Sequence, residues 1–204
     1  NGDYFLQSRV NISQQKQLAL VYSNMMMASL LFCPNPRKLL MVGLGGGSVT
    51  NFLSEWFPDL KIDVVEIDKK VIEISKKYFF LQESNHYRVF QEDGRVFIKN
   101  RKGQEQYDWI ILDAFKSGSI PYHLKTHEFY KEIRSILKPN GVVGSNLYGK
   151  GNALKPRDTK TFLSVFQNIY CFEDAENVAT VLIANDGPRW SERKIRGSAK
   201  TFKK

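Results

Sequence analysis

The stretch Leu39–Asp68 constrains this chain more than any other. Four apolar residues, Leu39-Leu40-Met41-Val42, run into a glycine-dense turn, Gly43-Leu44-Gly45-Gly46-Gly47-Ser48. A helix-length segment follows up to Pro58, and then a second apolar run, Ile62-Asp63-Val64-Val65-Glu66-Ile67. Strand, glycine turn, helix and a strand ending in an acid form the opening unit of a nucleotide-binding α/β sheet. Glycine lets the chain reverse with positive φ and lets the backbone approach a ligand with no Cβ in the way. The helix that starts there offers unpaired N–H groups and a positive dipole end to a polar or anionic ligand. Glu66, at the carboxyl end of the second strand, is placed to accept hydrogen bonds from two ribose hydroxyls. Ser48 stands where a dinucleotide site has its third glycine. A tight turn with no ligand is the competing reading, and Glu66 weighs against it.

The remaining chain alternates strand and helix patterns. Asp68 is placed to cap a helix carrying Val71, Ile74, Tyr78 and Phe79 on one face. A third strand over 87–91 ends at Glu92-Asp93-Gly94. A fourth, Tyr107-Asp108-Trp109-Ile110-Ile111-Leu112, is apolar enough to be buried on both faces and ends at Asp113. A helix bearing Phe129, Ile133 and Leu137 leads through Pro139-Asn140-Gly141 into a fifth strand over 142–147. A further helix bears Phe162, Phe166, Ile169 and Tyr170, and a last strand covers about 178–183. Strands alternating with helices predict a mostly parallel sheet with helices on both faces, a Rossmann-like α/β domain over residues 34–188. Residues 1–33 read as an N-terminal appendage, short strand material over 1–12 followed by a helix over about 14–32.

Composition matters mainly at the end of the chain. Residues 189–204 hold seven basic side chains and one acid, Glu192, so they supply +6 of the formal net charge of +9. With few apolar residues after Trp190, they read as a basic mobile tail that keeps the protein soluble rather than a nucleic-acid contact. No apolar run approaches the roughly 20 residues of a membrane span. Cys33 and Cys171 have neither metal-site nor disulfide-scaffold spacing, and a reduced cytoplasmic setting is expected. The chain starts at Asn1 rather than methionine, which leaves room for an upstream segment.

Ligands of such sheets bind outside the carboxyl ends of the strands. Four successive strand ends offer the glycine turn, Glu66, Asp93 and Asp113. Together with Val65-Glu66-Ile67-Asp68, Glu92-Asp93-Gly94-Arg95, the Tyr107–Asp113 run and Leu124-Lys125-Thr126-His127-Glu128-Phe129-Tyr130, they make the sequence resemble the spermidine synthase (polyamine aminopropyltransferase) family. That family shares its fold with S-adenosylmethionine-dependent methyltransferases.

The resemblance implies decarboxylated S-adenosylmethionine, or S-adenosylmethionine itself, as co-substrate, with no metal. Gly43, Gly45, Gly46, Glu66, Asp93 and Gly94 would hold the adenosyl group, Glu66 at the ribose and Asp93 at the adenine amino group. Asp113 would be the catalytic base, and Gln7, Tyr22 and Lys116 would face an amine substrate. A homodimer is the expected assembly. The sequence also departs from the family. Where the family has aspartate, two small residues, aspartate and proline, this chain has Asp113-Ala114-Phe115-Lys116, so a lysine replaces the second acid. The histidine and glutamate that follow the family's tyrosine are Ser23 and Asn24 here. A methyltransferase on a small molecule, and a non-catalytic protein that keeps the fold, remain alternatives.

Overall fold

A computed structural model describes residues 8–15, 17–104, 106–115, 119–147, 155–175 and 179–202. In its first strand, β1 (Lys38–Val42), alternate side chains point to opposite faces. Leu39 and Met41 enter one core and Leu40 and Val42 the other, and all four are buried. The same two-sided burial runs through β2 (Lys61–Glu66) and β4 (Tyr107–Leu112), which flank β1 in parallel. Strands β3 (Tyr87–Gln91) and β5 (Leu137–Asn146) extend the parallel sheet on either side. Two antiparallel strands, β6 (Asn168–Glu173) and β7 (Thr180–Asn185), complete the order β3-β2-β1-β4-β5-β7-β6. The chain moves outward from β1 in one direction and then returns to its other side with β4. Between the carboxyl ends of β1 and β4 this reversal leaves a crevice.

Helices cover both faces. On one side lie α1 (Val21–Met26), α2 (Ser48–Trp56) and α3 (Lys69–Tyr78), with Met26, Val49 and Leu53 buried against Met41, Val64 and Ile111. On the other lie α4 (Gly94–Arg101), α5 (His127–Ser135) and α6 (Lys155–Leu163), through Phe97, Phe129, Tyr130, Ile133 and Phe162. Polar caps mark where helices begin: Asp68 accepts from the Lys70 N–H, and Thr126 from that of Phe129.

Several sequence expectations differ from what is observed. The helix expected over 14–32 is α1 alone, running into a 3-10 turn, Met27–Leu31; Ile12–Gln14 is a separate 3-10 turn, and residues 8–11 join no strand. The polar run around Gln14, Gln15 and Gln17 has no apolar face to bury, so it cannot support helix there. Far from being an appendage in packing terms, the segment puts Met26, Leu30 and Phe32 into the core of the sheet. The strand expected over 1–12 falls largely on residues 1–7, outside the described residues.

Ile169 and Tyr170, expected on a helix, stand on β6 instead. Their neighbours alternate as strand residues do: Tyr170 and Phe172 pack on one core and Ile169 on the other. Strand β5 begins earlier than expected, passing through Asn140 at φ 63° with a shift of register against β4. Finally, residues 189–204 are not a featureless tail. Ser191 caps a helix, α7 (Glu192–Ala199), and Trp190 and Ile195 pack against the core. Trp190 meets the Phe32 ring edge-on, and the Trp190 backbone N–H donates to the Tyr170 hydroxyl at 2.8 Å. Trp190, just before the helix, and Ile195 on it dock a segment otherwise rich in charge.

Candidate active site

The glycine turn after β1 is shaped by steric need. Gly43 has φ +95°, and a Cβ there would run into the backbone carbonyl of Asp113. Gly45 and Gly47 also take positive φ. Glu66, half-buried at the end of β2, ties the turn down: one carboxylate oxygen accepts from the Leu44 N–H at 3.0 Å, the other from the Asp68 N–H at 2.9 Å. Each oxygen keeps a free lone-pair direction for a hydroxyl. The Gly46 N–H donates at 2.6 Å to the Ser8 hydroxyl, and both residues line the cavity beside Asp113. Gly94 serves packing, since a Cβ there would meet Val42 Cγ1 at 2.6 Å.

Asp93 caps α4, its Oδ1 accepting from the N–H groups of Arg95 and Val96. Its Oδ2 lies 2.8 Å from His123 Nε2. Partial burial opposes its ionisation, but the helix N–H groups and His123 outweigh that and hold the carboxyl below its usual range. His123 belongs to a 3-10 turn, Tyr122–Leu124, between β4 and α5.

Asp113 stands at the mouth of the sheet, where its backbone N–H continues the ladder to the Val42 carbonyl. Its Oδ1 accepts from Asn146 Nδ2 at 2.9 Å, and the Tyr22 hydroxyl donates to the same carboxylate. Burial pushes the Asp113 carboxyl up to about 6, against the two donors, which pull it down. Burial, and then the charge of Asp113, push the Tyr22 phenol far above its usual value, so it stays protonated and donates. Asp113 and Tyr22 line one cavity with Ser8, Arg9, Leu44 and Gly46. An apolar hollow on the other side is lined by Val42, Leu112, Ala114, Ile120 and Leu124, with Asn146 at its edge.

The fold thus gathers the glycine turn, Glu66, Tyr22 and Asp113 around the crevice, while Asp93 stands at the next strand end. Gln7 and Lys116 lie outside the described residues. Sequence reasoning passed over Ser8, Arg9, His123 and Asn146. Asn146 gave a weaker signal than Glu66 or Asp113, because Gly144 and Ser145 separate it from the apolar pair Val142-Val143. His123 carried no such signal.

This arrangement has relatives. A model of the spermine/spermidine synthase domain matches residues 19–169, which takes in the glycine turn and every strand end just described. The chain belongs to that family. A polyamine aminopropyltransferase of Vibrio vulnificus is 42% identical over 78% of this chain. The chain spans about half of that relative, 54% of its length. Among solved structures, human methyltransferase-like protein 13 in complex with SAH superposes with a TM-score of 0.82 at 27% identity. That match covers 89% of this chain and 90% of the other. A spermidine synthase in complex with the transition state analogue AdoDATO matches at TM-score 0.68, over 87% of this chain and 71% of that one. At 21% identity it speaks for the Rossmann-like methyltransferase fold alone.

Proposed function

We propose that this protein is an aminopropyltransferase that moves the aminopropyl group of decarboxylated S-adenosylmethionine to a small amine. The observation that carries the reading is Asp113, a carboxylate raised to about 6 at the switch point of the sheet, facing the cavity of the glycine turn. Glu66 supports a ribose there, because each of its carboxylate oxygens holds one backbone N–H and can accept a further hydroxyl. A free amine has a pKa near 10, so near pH 7 it carries a proton and has no lone pair. Asp113, about nine-tenths ionised at that pH, takes the proton to one carboxylate oxygen. The amine nitrogen then bonds to the methylene beside the sulfonium as that carbon's bond to sulfur breaks. The electron pair goes to sulfur, leaving neutral methylthioadenosine. Tyr22 and Asn146 hold the carboxylate in place while its charge falls. A neutral sulfide leaves without acid assistance. In this reading the protein works as a cytoplasmic homodimer. Lys116 disfavours a diamine acceptor, so Lys116→Asp raises turnover with putrescine.

Arg9 favours a second reading. This cation lines the same cavity as Asp113, where it could pair with the carboxylate that S-adenosylmethionine keeps and the decarboxylated donor lacks. That would make the enzyme a methyltransferase using the same base. Calorimetric titration with both donors and with methylthioadenosine separates the readings. Tighter binding of the decarboxylated donor supports aminopropyl transfer. Tighter binding of S-adenosylmethionine, weakened by Arg9→Ala, replaces it with methyl transfer.

A further inference from the structure

Strand β6 closes one side of the sheet, the third strand beyond β4 and remote from the crevice. Among the described residues it is paired on one side only, with β7, in unbroken register from Asn168 to Glu173. Its outer edge therefore turns a row of backbone N–H and C=O groups away from the sheet. Natural edges of this kind are blunted by lysine, proline or a bulge. The run Asn168-Ile169-Tyr170-Cys171-Phe172-Glu173 has none of these. Its one charged residue, Glu173, stands at the end and is matched by Lys155 at 2.6 Å.

Between β6 and α7 lies a groove of about 490 Å³, lined by Tyr170, Arg189, Trp190, Ser191, Glu192 and Ile195. Tyr170, Trp190 and Ile195 are partly buried and form its floor, and the exposed Arg189 stands at its rim. The surroundings are basic. Glu192 is already matched by Arg196 at 2.7 Å, one turn further along the helix. Among the described residues Arg189, Arg193, Lys194 and Lys200 pair with no acid. Arg189 and Lys194 lie instead over the Tyr170 and Trp190 rings.

We propose that this edge is a docking site for an extended acidic peptide segment, which adds as a strand beside β6 with its carboxylates turned towards Arg189 and α7. Main-chain bonds to a free edge give such a segment its affinity, and the side chains on one of its faces give selectivity. Charge chooses the occupant. A second copy of this chain, paired edge to edge across a two-fold axis, would set one basic helix against another. A nucleic acid would meet the cations but leave the edge of β6 unpaired, so it accounts for half of the observations.

The test is fluorescence anisotropy with a labelled peptide of about ten residues that alternates glutamate and valine, so that all the acids share one face. The intact protein is expected to bind it, and a peptide with lysine for glutamate should not bind. Two further peptides carry N-methyl groups on all the glutamate or all the valine nitrogens. In a strand these two sets of N–H groups point to opposite edges, so one methylated peptide should lose roughly 10-fold or more in affinity and the other stay within about threefold. Arg189→Glu, at an exposed position, should weaken the parent peptide by roughly 10-fold with an unchanged urea midpoint. Failure of the glutamate peptide to bind, or equal binding of the lysine peptide, overturns the proposal. Equal affinities of the two methylated peptides, or an affinity unmoved by Arg189→Glu, overturn strand addition at this edge. Tighter binding of oligouridine than of the glutamate peptide, lost in Arg189→Glu, replaces the peptide by a nucleic acid. A dimer that the glutamate peptide dissociates, seen by sedimentation, assigns the edge to a second copy instead.

Discussion

Burial holds the carboxyl of Asp113 up at about 6 while Asn146 and Tyr22 pull it down, so its charge depends on three side chains together. Turnover, followed as methylthioadenosine release, should rise with pH through about 6 as Asp113 ionises. Asp113→Asn removes the acceptor of the proton and should cut turnover by about 10²- to 10⁴-fold with adenosyl affinity nearly unchanged. Tyr22→Phe removes a donor that favours the ionised form, so the acid limb should move to higher pH. An acid limb that stays in place in Tyr22→Phe would show that the phenol does not bear on the base. Glu66 poses a different problem, because both its oxygens already hold backbone N–H groups. Glu66→Gln puts an amide NH₂ against one of those N–H groups and removes the charge that strengthens a ribose contact. Methylthioadenosine affinity should fall by roughly 10- to 100-fold. An unchanged dissociation constant would move the ribose elsewhere.

At the level of elements, α7 departs most from its composition. Its charges suggest a solvated tail, yet Trp190 and Ile195 anchor it beside Phe32 and Tyr170, and Lys194 covers the Trp190 ring at 3.6 Å. Deleting residues 189–204 should therefore cost about 2–4 kcal/mol, and Trp190→Ala alone about 1.5–3 kcal/mol, read from urea unfolding midpoints. An unchanged midpoint would mean that the helix contributes nothing to the fold. The same logic explains β6. Spacing of apolar residues over 162–170 fits a helix, but pairing with β7 gives the second half a ladder of hydrogen bonds and two cores to pack on.

For the molecule as a whole, the raised carboxyl of Asp113 is a liability to stability. Its folded value of about 6 exceeds the usual unfolded value near 3.9, so between these the native state binds the extra proton. The protonated group's contribution is full below about pH 4 and is lost as pH rises through about 6. Asp113→Asn should accordingly be more stable than wild type at pH 7.5, by about 1–3 kcal/mol, with the difference vanishing below pH 4. Equal stability of the two at pH 7.5 would indicate a carboxylate already solvated in the native state. The amino-acid order by itself determined the faces of β1, β2 and β4, the glycine turn and the acids at the strand ends. Those features follow from local periodicity and from what φ and Cβ permit, and a few neighbouring residues carry them. The tertiary structure alone decided that Tyr22 and Asn146 converge on Asp113, that Ser8 takes the Gly46 N–H, and that His123 reaches Asp93. Each of these joins segments distant in sequence that the packing of the sheet and its connections brings together. Periodicity tells a side chain which face to occupy, but burial, and the charge state that burial imposes, depend on which elements become neighbours.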